Sequence, residues 1–183
     1  PMMAGCFTAT ALFCYISSAP AVLMDDYQLS QQQFAFAFGF NAFGIIVLAS
    51  LNKRLANKVS VINRLKIGGL IQLTGAIIIV ISGSFAHAPF ILIMLGLSMT
   101  VSGIGFTGPN AMALAMSKQG ARAGTASAIM GSMQFACGLL GGILLNFLVW
   151  SHLLNMGILM LAFTLFGFLA ILKVTQQLKL QNI

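Results

Sequence analysis

Acidic residues are nearly missing from this chain. Its 183 residues include two, Asp25 and Asp26, against nine lysines and arginines. Charged residues of both signs make up 6% of the sequence, where a soluble domain carries about a quarter. A water-facing surface cannot be assembled from so few charges, so lipid must be the solvent for much of the chain. The three cysteines, Cys6, Cys14 and Cys137, sit in apolar stretches with no CxxC spacing and no neighbouring histidine. That pattern argues against a disulfide framework or a zinc site and leaves small, free thiols. There is no GxxxxGK[ST] phosphate loop, no HExxH and no GxSxG. No pair of aspartates and no Ser/His pair lies inside the apolar stretches, as intramembrane proteolysis would need. Neither an enzyme nor a cofactor nor a metal site is expected. The net charge of +7 does not point to nucleic acid, because no basic helix interleaved with stacking aromatics exists to bind it.

What is abundant is hydrophobic length. The chain is 59% hydrophobic, with a mean hydropathy of +1.00. A helix needs about 20 residues to cross the hydrocarbon core. Six segments have that length or nearly so: Met2–Leu23, Gln33–Leu51, Leu65–Ser84, Pro89–Met116, Thr125–Leu148 and Met156–Val174. Runs such as Ile77-Ile78-Ile79-Val80-Ile81 are apolar on every side, which excludes the alternation of a membrane strand. The expected fold is all-α, a six-helix transmembrane bundle forming one domain over residues 1–183, with residues 52–66 as a basic loop.

The basic residues orient it. Lys53, Arg54, Lys58, Arg64 and Lys66 fall between segments two and three, Lys118 and Arg122 between four and five, and Lys173 and Lys179 end the chain. The opposite connections, including the one with His87 and the one with His152, hold no lysine or arginine. Basic residues are retained in the cytoplasm, so both termini are expected there. An odd number of spans would destroy this segregation. The chain begins with Pro1 and enters an apolar segment directly, which reads as a fragment or as a domain cut from a longer protein.

Intramembrane carboxylates usually mark proton pathways, yet both acids here fall at the outer end of the first helix. Neutral polar groups carry more information: Tyr15, Ser17, Ser18, Asn41, Gln72, Thr74, Asn110, Gln134 and Asn146 all lie within apolar segments. They must face other helices or a wet cavity, as interhelical bonds worth about 1 kcal/mol each or as substrate contacts. Pro20 and Pro109 interrupt their helices' hydrogen-bond ladders. Around Gly103, Gly105, Gly108 and Pro109 the freed carbonyls could meet water or ligand, or the feature could be a packing kink. The fifth segment is rich in small residues; Gly131 and the GxxxG pair Gly138 and Gly142 read as packing positions. Phe34, Phe36, Phe38, Phe40 and Phe43 spread around their helix, so several must face lipid.

Several of these stretches resemble one family. Tyr15-Ile16-Ser17-Ser18-Ala19-Pro20 followed by Gln33-Phe34 is similar to the seventh and eighth helices of Bcr/CflA-type multidrug transporters of the major facilitator superfamily. Gly108-Pro109-Asn110-Ala111-x-Ala113-Leu114-Ala115 resembles the tenth. Ala123-Gly124-Thr125-Ala126-Ser127-Ala128 with Gly131 and Gln134 resembles the eleventh, and Asn52-Lys53-Arg54-Leu55 the loop after the eighth. The resemblance implies twelve helices in two halves, each of inverted three-helix repeats, in a bacterial inner-membrane proton antiporter exporting chloramphenicol- or bicyclomycin-like drugs. It implies helices one, two, four and five along a central cavity, lined by Tyr15, Ser18, Phe38, Asn41, Asn110 and Gln134. It also implies an N-terminal six-helix partner half carrying the proton-binding acid, without which this half would not transport. Two other readings stay open: a self-pairing six-helix transporter or pore, and a membrane scaffold or permease subunit.

Overall fold

The computed structural model describes residues 1–85, 88–117 and 119–181. His87 and Lys118, both expected in connections, lie outside the described residues, as does the side chain of Lys179. Among the described residues, six helices are long and apolar enough to cross a membrane, and there is no strand. They are α1 (Met2–Asp26), α2 (Gln31–Asn57), α3 (Val61–Gly83), α4 (Phe90–Met116), α5 (Ala123–Leu145) and α6 (His152–Gln181).

Helices α1, α2 and α6 run past the ends of the hydrophobic segments, α3 starts four residues early, and α4 keeps the expected bounds within one residue; α5 stops at Leu145, short of the expected Leu148. A helix of about 27 residues is roughly 40 Å long, which exceeds the hydrocarbon thickness, so its polar ends project into the headgroups. The stretch 52–66, expected as a loop, is therefore mostly helical. The α2 span continues through Lys53 and Arg54 to a last 3₁₀ turn at Leu55–Asn57, and α3 begins at Val61. Ser60 caps α3 by accepting from the Asn63 backbone N–H at 3.4 Å. At the other side, Ser30 and Gln33 form a reciprocal capping box that starts α2.

Both prolines are absorbed without ending a helix. Past Pro20, α1 widens into a π-helical turn over Ala21–Asp26. In α4 the irregularity falls at Gly103, between the segments Phe90–Ser102 and Ile104–Met116, and Pro109 lies inside the second.

Packing reveals the internal symmetry. Helix α1 packs on α6, α5 and α4, while α4 packs on α3, α2 and α1; α3 and α6 pack on each other. Exchanging α1 with α4, α2 with α5 and α3 with α6 leaves that pattern unchanged. Because a repeat has three spans, the second begins on the opposite side of the bilayer, so the repeats are inverted. Helices α2 and α5 are the least buried and present Phe36, Phe40, Phe43, Phe135 and Leu139 outward.

Glycine sets the closest approach. A Cβ on Gly75 of α3 would stand 2.6 Å from both the Gly96 carbonyl oxygen and the Thr100 nitrogen of α4, both fixed backbone atoms. On α5, Gly138 lies against the Phe13 ring, a Cβ on Gly142 would be 3.4 Å from Ser17 Oγ, and a Cβ on Gly131 would meet no other helix within 4 Å. Gly141, between Gly138 and Gly142, also packs on α1: a Cβ there would lie 2.9 Å from both Cys14 Sγ and the Thr10 methyl. Gly75→Ala should cost about 1–3 kcal/mol through overpacking, and Gly131→Ala less than about 0.5 kcal/mol. Thermal unfolding of the two variants in detergent checks this; equal midpoints would contradict the α3–α4 contact.

Candidate functional site

Helix α2 has three buried residues within its main α-helical segment: Ala37, Asn41 and Asn52. An exposed helix that buries two asparagines must be held by hydrogen bonds more than by apolar area. Asn41 and Asn52 are eleven positions, about three turns, apart and so share one face. That face meets α4.

At the first position, Asn41 Nδ2 donates to the Tyr15 hydroxyl of α1 at 3.0 Å, and Asn41 Oδ1 accepts from Ser98 Oγ of α4 at 2.7 Å. Tyr15 and Asn41 are fully buried. The Phe38 ring stacks on Tyr15 with centroids 5.3 Å apart, and Phe34 follows on Phe38 at 5.8 Å. The result is a neutral polar centre joining α1, α2 and α4, flanked by aromatic surface. Each group is satisfied by another, which is how such groups are tolerated in hydrocarbon.

At the second position, proline chemistry decides the arrangement. Pro109 has no N–H, so the carbonyl four residues earlier, Gly105, loses its helical partner. Asn52 Nδ2 donates to it at 3.2 Å. Gly105 allows this because its missing side chain lets α2 close in; a Cβ would lie 2.6 Å from the Ala49 nitrogen. Asn52 Oδ1 in turn accepts from Asn110 Nδ2 and from Arg64 Nη1, each at 2.9 Å. Arg64 Nε donates to the Val59 carbonyl at 3.1 Å, and Asn110 Nδ2 also donates to the Phe106 carbonyl at 2.7 Å. Arg64 was expected in a loop; here it is buried and ties α3 to the α2–α4 seam.

A third region runs between α1 and α5. Ser18 lines a cleft of about 270 Å³ with Ser17, Asn146 and Asn155. A neighbouring cleft of about 430 Å³ shares Ser17 and Asn146 and adds Phe13 and Phe135. Gln134 stands elsewhere on α5, its Nε2 3.5 Å from the Gly5 carbonyl of α1.

Of the six residues expected to line one cavity, the structure brings Tyr15, Phe38 and Asn41 together. Ser18 and Gln134 lie along the α1–α5 side, and Asn110 belongs to the Asn52 cluster. Pro20 and Pro109 are exposed, Gly105 sits in the α2–α4 crossing, and Gly108 has only Ile104 nearby. Ser98 was not singled out in the sequence, and Asn52 and Arg64 were read only as parts of the basic loop. Ser98 carried a signal, a hydroxyl in an apolar run two turns before Gly105. Arg64 carried none, because its neighbours are basic and read as loop.

Six crossing helices in two inverted repeats, with neutral polar groups bonded across them, define half of a transporter fold. The family profile described as Major Facilitator Superfamily matches residues 1–142, and the chain belongs to that superfamily, whose members are transporters and not enzymes. It is 28% identical over 170 residues to an uncharacterized MFS-type transporter, YdgK, of Bacillus subtilis, a match covering 93% of this chain and 42% of that protein. It is also 28% identical over 141 residues to a bicyclomycin resistance protein homolog of Haemophilus influenzae, covering 77% of this chain and 35% of that protein. The matched region thus spans roughly two fifths of these curated relatives.

Asn52→Ala leaves the Gly105 carbonyl, Asn110 and a buried guanidinium short of partners at once. The expected loss is about 3 kcal/mol, against about 1 kcal/mol for Tyr15→Phe, which keeps the ring. Unfolding midpoints in detergent test the order; Tyr15→Phe as the more damaging change would refute it.

Proposed function

We propose that this chain is the C-terminal six-helix bundle of a proton-coupled exporter of drug-like small molecules, of the Bcr/CflA type, in a bacterial inner membrane. The observation that carries this reading is the Tyr15–Asn41–Ser98 centre with Phe38 and Phe34 beside it. It pairs aromatic surface with a few neutral hydrogen-bonding groups, which suits an uncharged or lipophilic compound. The relative described as a bicyclomycin resistance protein homolog supports the same direction.

Proton coupling then belongs to a second bundle. Both acids of this chain lie at the end of α1, and none lies deeper in a span. An N-terminal six-helix bundle would supply the acid and cover the apolar outer faces of α2 and α5, and the two bundles would rock about a shared site. The basic end, with Lys53, Arg54, Lys58, Lys66, Arg122 and Lys173, faces the cytoplasm under the positive-inside rule, and both termini with it.

Export assays in a pump-deficient bacterium test the reading. This chain alone should confer no resistance, and coexpression with an N-terminal bundle should give export that collapses with the proton gradient. Full export by the chain alone would replace this reading with a self-pairing transporter.

In the complete protein, Phe38→Ala should lower resistance several-fold at unchanged membrane abundance, and Asn41→Ala should lower resistance by more than its loss of folded protein accounts for, since Asn41 also bonds α1 and α4. Asn110→Ala should act by reducing the amount of folded protein. Unaltered resistance in both Asn41→Ala and Phe38→Ala, with normal expression, would remove the Tyr15–Asn41–Ser98 centre from substrate contact.

A further inference from the structure

The two ends of the bundle differ sharply in charge. Asp25 and Asp26 close α1 at one end, while Lys53, Arg54, Lys58, Arg64, Lys66, Arg122 and Lys173 all belong to the other. A chain of net charge +7 therefore has one locally anionic mouth. That mouth is hollow. A cleft of about 750 Å³ opens where the α1–α2, α3–α4 and α5–α6 connections converge, lined by Asp26, Tyr27, Phe85, Trp150 and His152 among others.

Its walls are held in place by specific bonds. The π-helical turn Ala21–Asp26 sets the position of Asp26, whose Oδ1 accepts from His152 Nδ1 at 3.0 Å. Tyr27 donates its hydroxyl to the Ala88 carbonyl at 2.9 Å, and its ring packs on Phe90 at 5.9 Å. Burial, and then the Asp26 carboxylate, push the Tyr27 phenol above its ordinary pKa, so it remains a neutral donor. Trp150 is fixed through its backbone. Its N–H donates to Asn155 Oδ1 at 3.2 Å, and its carbonyl accepts from Asn155 Nδ2 at 3.1 Å. Asn155 itself is buried.

We propose that this cleft binds lipophilic organic cations of the quaternary ammonium or phosphonium class. Asp26 supplies the charge through the oxygen that His152 does not occupy, and Tyr27, Phe85 and Trp150 supply aromatic surface. A cation over an aromatic ring gains about 0.5–2 kcal/mol, and a cleft of a few hundred to about a thousand Å³ is the size drug-like ligands fill. The negative mouth concentrates cations before they bind. This site is separate from the neutral Tyr15–Asn41–Ser98 centre, and it stands whether or not that centre contacts an exported drug. The competing account makes Tyr27 and Trp150 interfacial anchors only.

Trp150 is the chain's single tryptophan and reports directly from the cleft. The 183-residue chain in zwitterionic lipid nanodiscs is titrated with tetraphenylphosphonium while Trp150 fluorescence is followed, and equilibrium dialysis of labelled tetraphenylphosphonium supplies an independent isotherm. Saturable quenching is expected, with half-saturation raised about tenfold by Asp26→Asn. Phe85→Leu should raise it by a smaller factor, and Asp25→Asn, outside the cleft lining, should change it least. Triphenylphosphine oxide, neutral with similar aryl surface, should not compete. Non-saturable quenching, equal binding by Asp26→Asn, or equal competition by the neutral compound overturns the proposal. The neutral comparator acts on the unmodified protein, so the test holds even if a variant folds poorly.

Discussion

In hydrocarbon a backbone carbonyl without a donor is costly by several kcal/mol, and this bundle is organised around one such carbonyl. Pro109 strips Gly105 of its helical partner, and Asn52 of α2 replaces the missing N–H. The remaining oxygen of the same amide gathers Asn110 and Arg64. Three helices are thereby tied at one point, and a residue that would weaken α4 on its own becomes the reason α2 stays attached to it. Gly105 makes this possible by letting the two backbones approach.

The same economy recurs three turns along α2. Asn41 is shared between the Tyr15 hydroxyl and Ser98, so α2 is fastened to α1 and α4 by amides at two levels, with little buried apolar area. The α3–α4 pair follows the other strategy, close backbone contact through Gly75 and Gly96. A bundle built in these two ways has a rigid interior while the outer faces of α2 and α5 stay apolar and open. Rigid bundles with open flanks suit the rocking of two halves about a shared site.

Much of the candidate site was legible as residue types, and little of it as a place. Tyr15, Asn41 and Asn110 stood out because polar groups in apolar runs must be satisfied. Their partners did not, since Asn41 meets Ser98 from 57 positions away and Asn52 meets Asn110 from 58. Helices apolar on every side leave their rotation about the axis undetermined by pattern, so which polar groups share a face is settled only by packing. That is why Asn110 parts company with Tyr15 and Asn41 and joins Asn52. Arg64 was hidden for a different reason: α3 begins before its apolar run, and a basic residue there reads as loop.

By itself the sequence determined the six spans, lipid as their solvent and the collection of basic residues at one end. Each follows from local transfer energies, which add along the chain and need no knowledge of neighbours. Tertiary structure alone decided the helix rotations, the partner that takes the carbonyl freed by Pro109, the burial of Arg64 and the cleft beside Asp26. These depend on atoms brought together from distant segments, and the pressure for buried polar groups to find partners, met here at Asn41, Asn52 and Asn110 though not at Gln72 Oε1, selects among arrangements that local pattern leaves equal.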